Sequence, residues 1–128
     1  LFGHAREALA AADAVLVASG TATLETALMR KPMVITYRMA PRTWSLMKRM
    51  RYQPWVGLPN IIAGRFVVPE LLQDEATPEN LSQALHNVGN DSILRERFFS
   101  LFSNMHQLLR RDASERAADA LTPWLLPR

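Results

Sequence analysis

A glycine between hydroxyl side chains separates a short apolar run from a helix-like segment in "VASGTATLETAL", residues 17–28. The apolar run predicts a strand, and the first backbone N–H groups of the helix that follows would be free to bind an anion. Gly20 allows a ligand to approach the backbone closely, and Ser19, Thr21 and Thr23 supply hydroxyl groups. These residue types in this order suit a phosphate or a diphosphate.

One carboxylate, that of Glu25, follows Thr21 by four residues, so both side chains lie on one face of the predicted helix. Helical side chains lean toward the N-terminus, which aims Glu25 at the turn. A carboxylate one turn beyond a diphosphate can accept two hydrogen bonds from a ribose diol. The spacing equally allows a simpler reading, in which Glu25 complements the helix dipole and the threonines cap the helix.

The turn differs from the common nucleotide and nucleophile motifs. No Gly-Lys-Ser/Thr follows it, it has one glycine where the dinucleotide fingerprint has three, and it is not a G-x-S-x-G elbow. The chain has no cysteine and no Asp-x-Asp, and its three histidines, His4, His86 and His106, share no metal-ligand spacing. We therefore predict neither a metal ion nor a cofactor.

Strand and helix patterns alternate around this turn and predict an α/β domain. The run 14–19 is continuously apolar, which is typical of a strand buried on both faces, and 33–38 is rich in β-branched residues. We predict a third strand over 55–58 and a loop over 59–65, whereas 66–73 fits either a short strand or a helical turn. The predicted helices cover 7–13, 21–30, 40–50, Thr77 to a C-cap at Gly89, a long segment from Asn90 or Asp91, and a last segment ending near Pro123. The fold class is a Rossmann-like parallel sheet with helices on both faces, plus a helical C-terminal tail.

The net charge of +3 is unevenly distributed along the 128 residues, which suffice for one domain. The segment 30–65 carries eight basic residues and no acidic one, and 66–94 carries five acidic residues and no Lys or Arg. The basic segment predicts an anionic partner, and mutual neutralisation of the two segments is the alternative. No apolar run reaches the roughly 18 residues that a membrane-spanning helix needs.

Four stretches, in order "ASGTATLETAL", "KPMVITYRM", "LPNIIAGR" and "VPELLQDEATPENL", resemble the carboxy-terminal half of the lipid-A-disaccharide synthase family. This is a bacterial glycosyltransferase family of the two-domain GT-B architecture. The resemblance implies transfer of 2,3-diacylglucosamine from UDP to 2,3-diacylglucosamine 1-phosphate, giving the lipid A disaccharide and UDP. It further implies that Glu25 binds the ribose and that Ser19, Gly20, Thr21 and Thr23 surround the diphosphate.

The resemblance also implies an active-site role for Asn60, which we expect at the end of the third strand. The residues alone favour a turn position after a proline instead. Arg38 and Arg65 are candidates to neutralise phosphate charge, although each also fits an ordinary surface position. For Glu70, which follows a proline, we expect a structural role. By the same resemblance, 1–90 forms the UDP-sugar-binding portion, and 91–128 packs on it, on an absent domain or on a partner subunit.

The partners follow from the resemblance as well. The general base is expected in an amino-terminal domain that the chain lacks, so the 128-residue piece alone is expected to be inactive. We expect a homodimer that binds no nucleic acid. We expect it in the cytoplasm, at the inner face of the inner membrane. Helix 40–51 is basic and amphipathic, which suits either an anionic membrane or a helix that covers the sheet. The alternative functions are another GT-B-like UDP-sugar enzyme, such as an epimerase or a cell-wall glycosyltransferase, or a non-enzymatic module that binds anionic membrane or nucleic acid through 30–65.

Overall fold

The computed structural model describes residues 3–50 and 52–125. Its three strands, β1 (Val15–Ala18), β2 (Met33–Tyr37) and β3 (Glu70–Leu72), form one parallel sheet in the order β1-β2-β3. The helices are α1 (Ala5–Ala11), α2 (Thr21–Leu28), α3 (Pro41–Met50), α4 (Leu58–Ala63), α5 (Pro78–Asn90), α6 (Ser92–Leu109) and α7 (Ala113–Leu125). The α/β, Rossmann-like fold class and its helical C-terminal tail are confirmed.

The sheet is built around β2. Met33, Val34 and Ile35 have no solvent exposure, so both faces of this central strand are covered. The edge strand β1 differs, because Val17 is buried whereas Leu16, on the opposite face, is 44% exposed. The prediction that β1 is buried on both faces is therefore wrong. A continuous apolar run does not by itself distinguish a central strand from a strand at a sheet edge.

The segment 55–63 corrects two sequence-based predictions. The expected strand over 55–58 and loop over 59–65 are wrong, because α4 begins at Leu58 and the third strand lies at Glu70–Leu72, where Glu70 pairs with Ile35. Pro59 stands in the first turn of α4, and Gly64 ends it in the left-handed conformation, with φ of 65°. Proline at the start and glycine just after the end are helix signals, so the sequence does contain the information that predicts α4.

The caps of two later helices agree with their sequences. The Thr77 side chain accepts a hydrogen bond from the Asn80 N–H at the start of α5, and the Asp91 carboxylate accepts from Ile93 and Leu94 at the start of α6. The expected C-cap at Gly89 is wrong, because α5 continues to Asn90 and Asp91 ends it. A glycine can remain in helical conformation at a helix end when no left-handed turn follows.

The hydrophobic core joins the sheet to α2, α5 and α6. From α6, Phe98, Phe102 and Met105 are buried, and the two phenyl rings stack with their centroids 5.5 Å apart. Leu108, near the end of the same helix, is exposed, and the described part of α7 has no buried residue. In residues 3–50 and 52–125, none of the helices combines the length and the apolar character that crossing a membrane requires.

Candidate functional site

The turn between β1 and α2 presents an open backbone surface. Gly20 is the N-cap of α2, with φ of 142° and ψ of −163°, a conformation that side-chain-bearing residues rarely adopt. A Cβ atom on Gly20 would meet nothing within 4 Å, so the glycine is needed for its backbone conformation and not for lack of space. No side chain caps the helix within the described residues, and its first turn contains no acidic residue.

The free N–H groups of this turn are the strongest indication of an anion site. Within residues 3–50 and 52–125, the N–H groups of Gly20, Thr21 and Ala22 donate no hydrogen bond. The neighbouring N–H groups are bonded, since Ser19 donates to the Thr36 carbonyl over 3.1 Å and Thr23 donates to the Gly20 carbonyl over 3.1 Å. Three adjacent unpaired donors at a helix N-terminus, where the helix dipole is positive, favour a bound anion.

Two of the predicted hydroxyl ligands hold the turn in place. Thr23 is completely buried, and its hydroxyl donates to the Gly20 carbonyl over 2.7 Å. The Ser19 hydroxyl donates to the Val56 carbonyl over 3.2 Å, which ties the turn to the segment before α4. Thr21, in contrast, is exposed at the first position of α2. The geometry therefore leaves Thr21 and the backbone as the groups that face the open space.

Glu25 is exposed on α2, one helical turn beyond Thr21. Its carboxylate has no salt bridge to any Lys, Arg or His of the described part of the chain. An unpaired carboxylate in this position is available to accept hydrogen bonds from a ligand that also occupies the turn.

An apolar cavity of about 390 Å³ lies beside Ser19, and Glu25 is not among the residues that line it. Besides Ser19, it is lined by Tyr37, Met39, Met47, Trp55, Val56 and Ile61. It connects the ends of β1 and β2 with one side of α3 and with the segment around α4. A ligand bound at the turn therefore has polar backbone on one side and a mainly apolar surface on the other.

Asn60 lies inside α4, so the expectation that it stands at a strand end is corrected. Its side chain has no solvent exposure. The Oδ1 atom accepts hydrogen bonds from the N–H groups of Val67 and Val68, over 2.7 and 2.8 Å. The Nδ2 group donates to the Val68 carbonyl over 2.9 Å and to Glu70 Oε1 over 2.7 Å. Since two donors and two acceptors are the full capacity of an amide, this side chain has none left for a ligand.

Glu70 was expected to be structural, and the contacts of its carboxylate agree. Oε2 accepts from the Val56 N–H and Oε1 from the Gly57 N–H, both over 2.9 Å, in addition to the bond from Asn60. A Cβ atom on Gly57 would collide with the end of the Ile35 side chain and lie 3.0 Å from Glu70 Oε1, so any larger residue would require these two side chains to shift. Sequence reasoning missed this cluster, although the glycine directly before a Leu-Pro pair was a usable signal.

The two candidate arginines are separated. Arg38 is exposed and follows β2, whose residue Thr36 pairs with Ala18, so Arg38 lies at the same sheet end as the turn. Arg65 follows α4 and lines a different cavity of about 410 Å³ together with Phe66 and Arg97. Among the described residues, no ion pair joins the basic segment 30–65 to the acidic segment 66–94. Ion pairs between the two segments therefore do not neutralise the described part of the basic segment.

Comparison with known proteins identifies the relatives of the chain. The sequence profile of the family described as Lipid-A-disaccharide synthetase matches residues 1–121. The chain is 59% identical to the lipid-A-disaccharide synthase of Dechloromonas aromatica over 125 residues, which cover 98% of this chain and 33% of that protein. It is 55% identical to the enzyme of that name from Aromatoleum aromaticum and 54% identical to that from Pseudomonas syringae, over 98% of this chain and 32% of each. The chain thus spans about one third of the length of these relatives.

Proposed function

Because the chain belongs to the lipid-A-disaccharide synthetase family, we propose that it forms the UDP-sugar-binding part of a lipid A glycosyltransferase. The enzyme moves 2,3-diacylglucosamine from UDP to 2,3-diacylglucosamine 1-phosphate. The observation that carries this proposal is the open turn at Gly20, where three adjacent N–H groups are unpaired and an unpaired carboxylate stands one helical turn away.

The diphosphate of the donor binds to the N–H groups of Gly20, Thr21 and Ala22, with the Thr21 hydroxyl beside them. The helix dipole at such a position contributes about 0.3–1 kcal/mol for each anionic charge at an exposed site. Arg38, at the same end of the sheet, adds positive charge, whereas the position of Arg65 in a separate cavity gives little support to a diphosphate role. Ser19 and Thr23 act indirectly, because their hydroxyls hold the turn.

Glu25 binds the ribose of the nucleotide, since its carboxylate can accept from both hydroxyls of the diol. The donor is a linear molecule, with ribose and sugar at opposite ends of the diphosphate. With the ribose at Glu25, the sugar extends beyond Ser19 toward the apolar cavity lined by Met47 and Trp55. An acylated sugar suits that environment better than a fully hydroxylated one.

The reaction is a displacement at the anomeric carbon. The acceptor hydroxyl oxygen forms the new bond, the bond from the anomeric carbon to the diphosphate oxygen breaks, and UDP departs with that electron pair. The acceptor proton passes to a general base, which we place in the portion of the enzyme outside this chain. Negative charge grows on the leaving diphosphate, and the fixed N–H groups at the start of α2 stabilise it without having to reorient.

In this proposal Asn60 is a positioning residue and does not contact the substrate. Its four hydrogen bonds join α4 to the backbone of Val67 and Val68 and to Glu70. In this way it orders the segment to which the Ser19 hydroxyl is tied.

Helix α3 forms the membrane-facing surface of the proposed enzyme, on the inner face of the inner membrane. It has no buried residue; Leu46 and Met50 are 58% and 75% exposed and stand next to Arg42 and Arg49. Apolar side chains flanked by cations on one short helix suit insertion at an anionic bilayer surface. This placement brings the acyl chains of the substrates close to the apolar cavity beside Ser19.

Residues 91–128 serve a different purpose from residues 1–90 in this proposal. The exposed apolar side chains of α7, Leu121, Trp124 and Leu125, are available to contact the rest of the enzyme or a second subunit. Light scattering on the full natural protein, with and without a Trp124→Ser substitution, distinguishes a contact within the enzyme from a contact between subunits. Loss of a dimer indicates a subunit contact, and an unchanged mass with lower stability indicates an intramolecular one.

Titration of the full natural protein with UDP by calorimetry tests the proposal. We expect Glu25→Gln to weaken UDP binding by about 10-fold or more, because hydrogen bonds to a charged group contribute about 1.5–3 kcal/mol. Glu79→Gln, an exposed glutamate in the first turn of α5, is the matched control and should leave binding unchanged. Equal binding of UDP by the wild type and Glu25→Gln would exclude Glu25 as the ribose ligand.

An activity assay tests the choice of donor. Activity with unacylated UDP-glucosamine equal to that with the diacylated donor would favour a different UDP-sugar enzyme.

A further inference from the structure

We propose that Glu70 is a positioning residue for the turn at Gly20 and acts on it through the peptide group that joins Val56 to Gly57. The positioning itself follows from the structure, and only its consequence for UDP rests on the function proposed above. Glu70 stands on β3 and belongs neither to the turn nor to α2. Its effect on the turn therefore has to pass through the segment that precedes α4.

Glu70 holds this segment by three hydrogen bonds. Its two oxygens accept from the N–H groups of Val56 and Gly57, each over 2.9 Å, and Oε1 also accepts from the Asn60 amide over 2.7 Å. Hydrogen bonds to an ionised acceptor are about twice as strong as neutral ones. The Gly57 N–H is at the N-cap of α4, so the carboxylate also lies at the positive end of that helix.

The connection to the turn uses the other side of the same peptide group. The Gly57 N–H and the Val56 carbonyl belong to one planar unit, so the orientation of one determines that of the other. The N–H points to Glu70, and the carbonyl accepts the Ser19 hydroxyl over 3.2 Å. A carboxylate on the N–H side polarises the peptide and makes its carbonyl a stronger acceptor. Glu70 thereby strengthens the bond that attaches Ser19, and with it Gly20, to the body of the domain.

This arrangement has a consequence for ligand binding. The single hydroxyl proton of Ser19 is held by the Val56 carbonyl, so Ser19 cannot donate it to a phosphate while that bond exists. The donors left to the anion are the backbone N–H groups that Ser19 helps to orient. Without Glu70, the Gly57 N–H loses its acceptor, the Ser19 bond to the same peptide weakens, and the N–H groups of the turn lose their common orientation.

Hydrogen–deuterium exchange of the full natural protein tests the positioning without any ligand. We expect Glu70→Ala to accelerate amide exchange at Ser19 and Thr23, whose N–H groups are the hydrogen-bonded ones of the turn, by about 10-fold, beyond the acceleration seen in a variant that is destabilised elsewhere in the domain. Val88→Ala supplies that comparison, because Val88 is a buried residue of α5 outside the proposed site. If Glu70→Ala does not fold, Glu70→Gln is the variant to use, since it keeps the size of the side chain but turns a donor toward one of the two backbone donors. Exchange at Ser19 and Thr23 no faster in Glu70→Ala than in Val88→Ala would overturn the proposal.

A double-mutant cycle with Ser19→Ala tests the path. If Glu70 acts through the Ser19 hydroxyl, Glu70→Ala should change exchange of the amides of residues 19 and 23 much less in the Ser19→Ala background than in the wild type. Full additivity of the two substitutions would reject the path. UDP titration of the same variants forms a separate arm: Glu70→Ala should weaken binding by about 10-fold and Val88→Ala should not. A wild type that fails to bind UDP would sink the proposed function, while the exchange data still decide the role of Glu70.

Discussion

The Thr23 hydroxyl donates a 2.7 Å hydrogen bond to the carbonyl oxygen of Gly20, from a side chain with no solvent exposure. The same carbonyl accepts a hydrogen bond from the Thr23 N–H over 3.1 Å. Thr23 therefore holds Gly20 through both its backbone and its side chain. A helix that begins with an uncapped glycine has few other means of fixing its first residues. The conformation of the proposed anion site therefore depends on a threonine whose side chain is completely buried.

The first prediction concerns the hydrogen bond from the Thr23 hydroxyl to the Gly20 carbonyl. Thr23→Val keeps the shape of the side chain and removes the hydroxyl; we expect it to weaken UDP binding by roughly 5-fold, the size of one lost hydrogen bond of about 1 kcal/mol. Thr26→Val is a closely matched control, because Thr26 is equally buried in α2 and donates to the Ala22 carbonyl over 2.8 Å. Calorimetric titration of both variants measures the difference. Equal losses of affinity would show that the Thr23 bond only stabilises the helix.

Gly20 gives the second prediction. Gly20→Ala places a Cβ in a backbone conformation, φ of 142°, that costs about 1–3 kcal/mol for other residues. Since the Cβ itself meets no atom, we expect the turn to change its conformation rather than the core to unfold. The melting temperature should fall by only a few degrees, and UDP binding should become undetectable at concentrations that saturate the wild type. Retained UDP affinity in Gly20→Ala would contradict the close approach of a diphosphate to this turn.

Asn60 gives the third prediction, which is one of stability. Asn60→Ala leaves the buried N–H and carbonyl groups of Val68 and the part-buried N–H of Val67 without partners, and unsatisfied buried groups cost about 1–3 kcal/mol each. We expect a loss of about 3 kcal/mol or more in the free energy of unfolding, measured by urea denaturation. Asn90→Ala is the control, since the exposed Asn90 makes one hydrogen bond to the His86 carbonyl, and it should lose well under half as much. A normal stability in Asn60→Ala, combined with lost activity, would instead support direct contact with substrate.

The fourth prediction concerns α3. The pair Leu46→Ser and Met50→Ser removes the two most exposed apolar side chains of α3 and should reduce co-sedimentation of the full natural protein with phosphatidylglycerol vesicles several-fold, because buried apolar area drives interfacial binding. Leu121→Ser in α7 changes a comparably exposed leucine at 56% and is the control. The remaining binding should fall further as salt is raised, since Arg42 and Arg49 contribute an electrostatic part. Unchanged sedimentation of the α3 variant would reject α3 as the proposed membrane-facing surface.

Local patterns account for the parts of this molecule that could be predicted. The apolar run before Ser19 and the β-branched run after Pro32 correctly indicate neighbouring parallel strands, because a short strand–helix–strand unit has few other ways to bury its apolar faces. The caps at Thr77 and Asp91 follow from side chains that reach the first N–H groups of their own helices. Each of these features is settled within a few residues of chain.

The part of the molecule around α4 shows where local reasoning stops. "WVGL" has strand-like residues, yet the third position in the sheet is filled by Glu70–Leu72, which reaches Ile35 from a distant part of the chain. Just after that strand, the Gln73 side-chain amide bonds to both backbone groups of Met39. It donates to the Met39 carbonyl over 3.0 Å and accepts from the Met39 N–H over 2.7 Å. Competition between two segments for one sheet edge depends on the energy of the whole domain, and β-propensity alone does not resolve it.

The sequence by itself determined the α/β class, the glycine turn at the end of a strand, the position of Glu25 one helical turn from Thr21 and, through its resemblance, the family. Only the tertiary structure decided which polar side chains face outward. Ser19, Thr23 and Asn60 look like ligands in a linear sequence, but their hydrogen bonds go to Val56, Gly20, Val67, Val68 and Glu70. The reason is that a buried polar group must find a partner within the fold, and that partner is chosen by three-dimensional proximity, which residue types and spacing do not encode.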